Sequence, residues 1–182
     1  MQVRLRSYDL ISIILLIITI NPFTEDLGFK NVIPYMLSHY SLFTAGALLG
    51  YKRRLGILNP TFSIVFSSSM IILLHYPIIF YLGGTNIYFR ILDNLLLIFS
   101  GYLIGSIVDL ISSILKFSLL GLWMLGDTYL SILFMAFPEP YVRYPYTADQ
   151  YYTLGIIMFV IMNSVAVYLI ILYFNKLFSS EK

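Results

Sequence analysis

Residues 152–174 read YTLGIIMFVIMNSVAVYLIILYF, a run of 23 residues without one charged side chain. A helix needs about 20 apolar residues to cross the hydrocarbon of a bilayer, so this run reads as a transmembrane helix. The remaining sequence has the same character. Of 182 residues, 59% are hydrophobic and 11% charged, with a mean hydropathy of +0.87. Soluble domains carry about 25% charged residues. A secreted or cytosolic globule and a disordered tail are therefore excluded. Net charge is only +2 and the basic residues are scattered, which excludes a nucleic-acid module built on a basic patch. Cysteine is absent, so disulfides, thiolate zinc, iron–sulfur clusters and cysteine nucleophiles are excluded too.

Working outward from 152–174, five further apolar segments appear, at about 8–20, 32–51, 60–82, 91–110 and 117–137. The turn between the fourth and fifth is expected near residues 112–116. The expected architecture is all-α: one polytopic membrane domain of six transmembrane helices. Arg4 and Arg6 precede a short apolar run, as in a signal peptide. Asn21-Pro22-Phe23 is a poor cleavage site, so a retained signal-anchor helix is expected. Six spans place the N-terminus, the loops after spans two and four and the C-terminus on one side. Those flanks hold Arg4, Arg6, Lys52, Arg53, Arg54, Lys116, Lys176 and Lys182, eight of the eleven basic residues. Lys30, Arg90 and Arg143 fall on the other side. Basic flanks stay in the cytoplasm, so both termini are expected inside a cell membrane.

A short internal likeness accompanies this pattern. Residues 38–50 align with 93–105 at an offset of 55, matching Gly46 with Gly101 and Gly50 with Gly105. Such glycine pairs allow helices to approach closely. They also recur in any helical bundle, so a duplicated helix pair is one of two readings.

Ionisable groups inside the hydrocarbon are costly and usually have a task. His39 and His75 both fall about 10 Å from the outer ends of consecutive spans, at 1.5 Å of rise per residue. Met36 shares a helical face with His39. Asp93 and Asn94 open the fourth span on the same side, Asp127 falls near the middle of the fifth, and Asp149-Gln150 precedes the sixth. Imidazole suits copper, zinc or haem iron, and a thioether favours Cu(I). The candidate metal ligands are His39, His75 and Met36, with Asp93, Asn94, Asp127, Asp149 and Gln150 as groups that orient them. The competing reading is structural: histidines can bond across helices, and Asp or Asn can cap helix ends. There is no P-loop, Rossmann fingerprint, HExxH or GxSxG, so an enzyme is not expected. The tyrosines around the last outer loop read as an interfacial belt.

Asp149-Gln150-Tyr151-Tyr152-Thr153-Leu154-Gly155-Ile156-Ile157-Met158 resembles the Asp-Gln-x-x-x-x-Gly-x-x-Met signature of CtaG-like cytochrome c oxidase assembly proteins. His75-Tyr76-Pro77 is similar to that family's Trp-His-x-Pro element, with Leu74 in place of Trp. Tyr35-Met36-Leu37-Ser38-His39 resembles its His-x-x-x-His helix start, with Tyr35 in place of the first His. Asp93 and Asn94 stand where the family has a further His. The likeness is greatest to short archaeal relatives of unknown function. It implies a helical membrane protein linked to a respiratory haem–copper oxidase, assisting its assembly or delivering copper through an outer-leaflet polar site. The rival expectation is a stable accessory subunit of a respiratory complex, packing structurally or holding a b-type haem between His39 and His75. Expected partners are the lipid bilayer and subunits of the oxidase, with no nucleic acid.

Overall fold

The computed structural model describes residues 7–51, 53 and 59–179, with side chains described up to residue 172. Arg4, Arg6, Lys52, Arg54, Lys182 and the side chain of Lys176, which enter the charge count above, lie outside the described residues.

The described chain is all helix: α1 (Ser7–Thr19), α2 (Pro22–Lys30), α3 (Val32–Gly50), α4 (Pro60–Leu74), α5 (Pro77–Thr85), α6 (Ile87–Ile107), α7 (Ser113–Ala136) and α8 (Ala148–Ser179). Asparagine starts many of these helices. Asn21, Asn31, Asn59 and Asn86 each accept hydrogen bonds from backbone N–H groups of the first turn they precede, the groups that have no partner within the helix. Helices α3, α6, α7 and the stretch Ala148–Leu172 are long and apolar enough to cross a membrane. The pairs α1–α2 and α4–α5 qualify as bent spans, so four to six crossings are available by length and composition. The molecule is an all-α, multi-pass membrane protein.

Four sequence expectations are corrected. The segment 60–82 is not one continuous helix: it breaks between α4 and α5 with a bend of 75°. Pro77 has no N–H to continue the ladder and disfavours helical geometry at the preceding residue. Tyr76 is accordingly extended, and His75 caps α4 at the break. The first segment likewise continues past a 55° bend at Asn21 into α2. The fourth starts at Ile87, capped by Asn86, which brings Arg90 inside the helix. The turn after it precedes Ser113, so Lys116 belongs to the first turn of α7.

The offset of 55 extends well beyond the two helices in which it is legible. Pro22 and Lys30 bound α2, and Pro77 and Thr85, each 55 residues on, bound α5. Asn31 and Asn86 cap α3 and α6. Ser12 Oγ donates to the carbonyl of Ala45 at 2.7 Å, and Ser67 Oγ to that of Ser100 at 3.0 Å. A Cβ on Gly46 would strike the carbonyl oxygen of Ile98, and one on Gly101 that of Phe43. Gly50 abuts Tyr102, and Gly105 abuts Ala47. Gly28 lies against the Arg90 guanidinium, and Gly83 against the Tyr35 hydroxyl. Each contact is returned by the residues 55 positions away, which is the signature of a two-fold arrangement. Thus α1–α2–α3 and α4–α5–α6 are two copies of one three-helix unit, with α3 and α6 packed backbone to backbone along the pseudo-axis.

The hairpin α7–α8 stands outside this repeat. It packs against α3 and α5 through Phe134, Tyr151, Leu154 and Met158, which join Val32, Tyr35, Met36 and Phe80 in one apolar cluster. The loop between the two helices adds Tyr141 and Tyr146 to that cluster.

Candidate polar site between the two units

His39 lies one helical turn after Tyr35 on α3, and its Nδ1 is 3.0 Å from the Tyr35 carbonyl. A carbonyl oxygen can only accept, so Nδ1 carries the proton. His75 repeats the arrangement at the end of α4, with Nδ1 2.7 Å from the carbonyl of Ile71. In each neutral ring, Nε2 is left as the lone-pair nitrogen. The break at Pro77 turns His75 toward α3, and the ring centroids of the two histidines are 5.4 Å apart at an interplanar angle of 64°. Tyr141 donates its hydroxyl to the His75 carbonyl at 3.1 Å, giving a partner to an oxygen that the break removes from the helix ladder.

Asp93, on α6, faces this pair. Its Oδ2 accepts the Tyr35 hydroxyl at 2.9 Å and lies 3.3 Å from His39 Nε2. The last contact is not aligned as a hydrogen bond: His39 Nε2 and Asp93 Oδ1 are both buried without a partner. A lone-pair nitrogen against a carboxylate oxygen is repulsive unless a positive charge, whether a proton on Nε2 or a bound cation, lies between them.

Positive charge is supplied nearby by Arg90, one turn before Asp93 and 2% exposed. Its guanidinium carbon lies 4.0 Å from the Tyr35 ring centroid and 4.9 Å from that of Phe29. Glu25 Oε2, on α2, is 3.3 Å from Arg90 Nε, and Glu25 Oε1 accepts from Asn94 Nδ2 at 2.9 Å. Above this layer, the Tyr146 hydroxyl is shared between the carbonyls of Gly28 and Gly84, at 2.6 and 2.9 Å. Burial pushes the ionisation of this hydroxyl well above the usual tyrosine range, so it remains a donor that ties the last loop to α2 and α5.

Of the residues singled out from sequence, the structure brings together His39, His75 and Asp93. Met36 is fully buried in the apolar cluster with Phe80, Phe134 and Met158. Asn94 serves Glu25. Asp127 accepts the hydroxyl of Tyr40. Asp149 is exposed in the first turn of α8, and Gln150 reaches the Val32 N–H at 3.4 Å and the Lys30 carbonyl at 3.5 Å. Sequence reasoning missed Glu25 and Arg90 as site residues. The signal available for Arg90 was its spacing of three before Asp93, which puts both on one helical face.

Among the described residues, no group of three or more His, Cys, Asp or Glu side chains converges as a metal cage. Haem does not fit. Bis-histidine ligation needs a slot between the rings for the macrocycle. Here the rings meet edge to face, and Phe80 packs against both, its centroid 5.8 Å from His39 and 6.1 Å from His75.

A family described as protein of unknown function DUF1404 matches residues 10–176. The chain belongs to the DUF1404 family. No curated protein and no solved structure matches it. In this DUF1404 chain the match takes in every residue of the polar cluster, from Glu25 through Tyr35, His39, His75 and Arg90 to Asp93, and all of the helices except the start of α1 and the end of α8.

Proposed function

We propose that this DUF1404 protein assists the assembly of a respiratory haem–copper oxidase, holding copper at His39 and His75 on the outer side of the cell membrane. The observation that carries the reading is the pair of imidazoles whose Nδ1 atoms are committed to backbone carbonyls, with the His39 Nε2 lone pair set against the Asp93 carboxylate. Fixing Nδ1 in this way orients an imidazole for ligation through Nε2. Copper bound there would supply positive charge beside the Asp93 carboxylate in place of a proton on Nε2. The chain's own part is to hold the two rings, exclude water with Phe80 and Tyr141, and keep Asp93 oriented through Tyr35.

Two sequence features support the reading. One is the likeness of 149–158, of His75-Tyr76-Pro77 and of the start of α3 to CtaG-like assembly proteins. The other is the eight-to-three distribution of basic residues, which puts the site in the outer half of six spans with both termini in the cytoplasm. Equilibrium titration of the purified protein with Cu(I) against a chromophoric chelator tests it. One copper per chain, lost in His39→Ala and in His75→Ala, is expected. A wild-type protein that takes no copper from the chelator overturns the reading.

The bent spans favour a second reading, transport. Broken helices at a repeat interface are where secondary transporters place their substrate sites. Uptake of copper into sealed vesicles containing the protein, rather than simple retention, would select it.

A further inference from the structure

We propose that Glu25 and Arg90 form a positioning pair for the Asp93–His39 contact, acting through Tyr35, and that the fold itself does not require their charges. This rests on the site proposed above. The internal duplication supplies the control. Glu25 and Phe80 are equivalent at the offset of 55, as are Arg90 and Tyr35. The ion pair Glu25–Arg90, 3.3 Å apart, and the aromatic pair Phe80–Tyr35, with centroids 4.8 Å apart, are therefore the same contact made twice between the units, once on each side of the pseudo-axis. Both contacts join one unit to the other; one is closed with two rings and its counterpart with two charges. Their glycine neighbours are equivalent as well, Gly83 facing Tyr35 and Gly28 facing Arg90.

Burying an ion pair is often no better for stability than apolar packing of the same volume. Here the pair is also incompletely bonded, since Arg90 Nε and Nη2 have no hydrogen-bond partner. A fold that closes this contact with Phe80 and Tyr35 on one side has no structural need of Glu25 and Arg90 on the other. What the charges do is local. The guanidinium carbon lies over the Tyr35 ring, and the Tyr35 hydroxyl donates to the same Asp93 oxygen that faces His39. Arg90 thus fixes the plane of Tyr35, Tyr35 fixes the carboxylate, and Glu25 balances the charge that this requires. Asp93 itself is equivalent to Ser38 and His39 to Asn94, so the units differ where the site is and agree at the glycines, serines and caps that build the bundle.

The test copies the aromatic closure onto the charged one: Glu25→Phe combined with Arg90→Tyr. Three readouts are taken on detergent-purified protein: thermal unfolding, the infrared carboxylate band of Asp93 (identified by difference from Asp93→Asn), and Cu(I) affinity. The double variant is expected to unfold at the wild-type temperature, to shift the Asp93 band, and to bind Cu(I) roughly 10–100-fold more weakly, as loss of an orienting partner does. Tyr35→Phe, with Arg90 in place, is expected to shift the band in the same direction. A double variant that does not fold or melts early makes the pair structural and overturns the proposal. An unmoved Asp93 band in either variant overturns it as well. Should the wild type bind no Cu(I), the function proposed above falls, and the band shift alone decides the positioning role.

Discussion

Tyr35 and Arg90 hold the same place in the two three-helix units, 55 positions apart, and they stack on each other, the guanidinium carbon 4.0 Å from the ring centroid. A residue packed on its own counterpart lies close to the pseudo-axis of the duplication. The polar cluster of this protein is therefore built around that axis, where small sequence differences between the units give an asymmetric site on a nearly symmetric frame.

Close packing of α3 on α6 makes the glycines at the axis intolerant and equivalent. Gly46→Leu and Gly101→Leu each drive a side chain into a backbone carbonyl of the facing helix. Both are expected to cost at least the upper end of the about 1–3 kcal/mol typical of overpacking, read as loss of detergent-stable protein. Gly121→Leu and Gly126→Leu, on α7 with nothing within 4 Å, are expected to leave thermal stability unchanged. Equal tolerance at all four positions would dissolve the pseudo-axis.

The histidines should separate from the methionine. His39→Ala and His75→Ala are expected to abolish Cu(I) retention while the protein remains inserted in the membrane. Met36→Leu, in the apolar cluster, is expected to retain it, because Leu for Met roughly conserves volume. A Met36→Leu variant that loses copper would restore the thioether as a ligand.

The loop carrying Tyr146 should act as a clasp. Tyr146→Phe leaves the carbonyls of Gly28 and Gly84 without this donor, at a cost of about 1–3 kcal/mol for buried groups so deprived. A lower unfolding temperature and faster hydrogen exchange in α2 and α5 are expected. Unchanged exchange in both would mean that the loop holds neither.

Topology follows from the basic flanks. Reporters fused after Lys182 and inserted in the loop 138–147 are expected to report cytoplasm and exterior respectively. A C-terminus found outside would mean either an odd number of spans or an inverted six-span topology, and inversion would move the imidazole pair to the inner side.

The helical membrane class was legible because the apolar runs are long and the charges few, and hydropathy responds to little else. The break at Pro77 was not, because the run from Ile71 to Phe80 stays apolar through it apart from His75 and Tyr76, and a window average does not register one missing N–H. Gly46, Gly50, Gly101 and Gly105 were legible as a likeness, but their reciprocity lives in contacts between helices. His39 and His75 stood out as the only histidines in the sequence. Glu25 and Arg90 read as flanking charges, since each sits at the edge of an apolar segment. Only the approach of α2 to α6 brings them together, with Arg90 buried and Glu25 partly exposed.

The backbone-to-backbone seam of α3 and α6 also sets a timetable. The ribosome adds roughly 5–20 residues each second, so Asp93 follows His39 by roughly 3–11 seconds. Until then the nascent first unit lies in the lipid with its glycine face bare, its imidazole without a facing carboxylate, and Glu25 without its guanidinium. The second unit, as it inserts, zips along the waiting glycines and completes the cluster in one step, so this protein acquires its polar centre late, at the docking of its two halves.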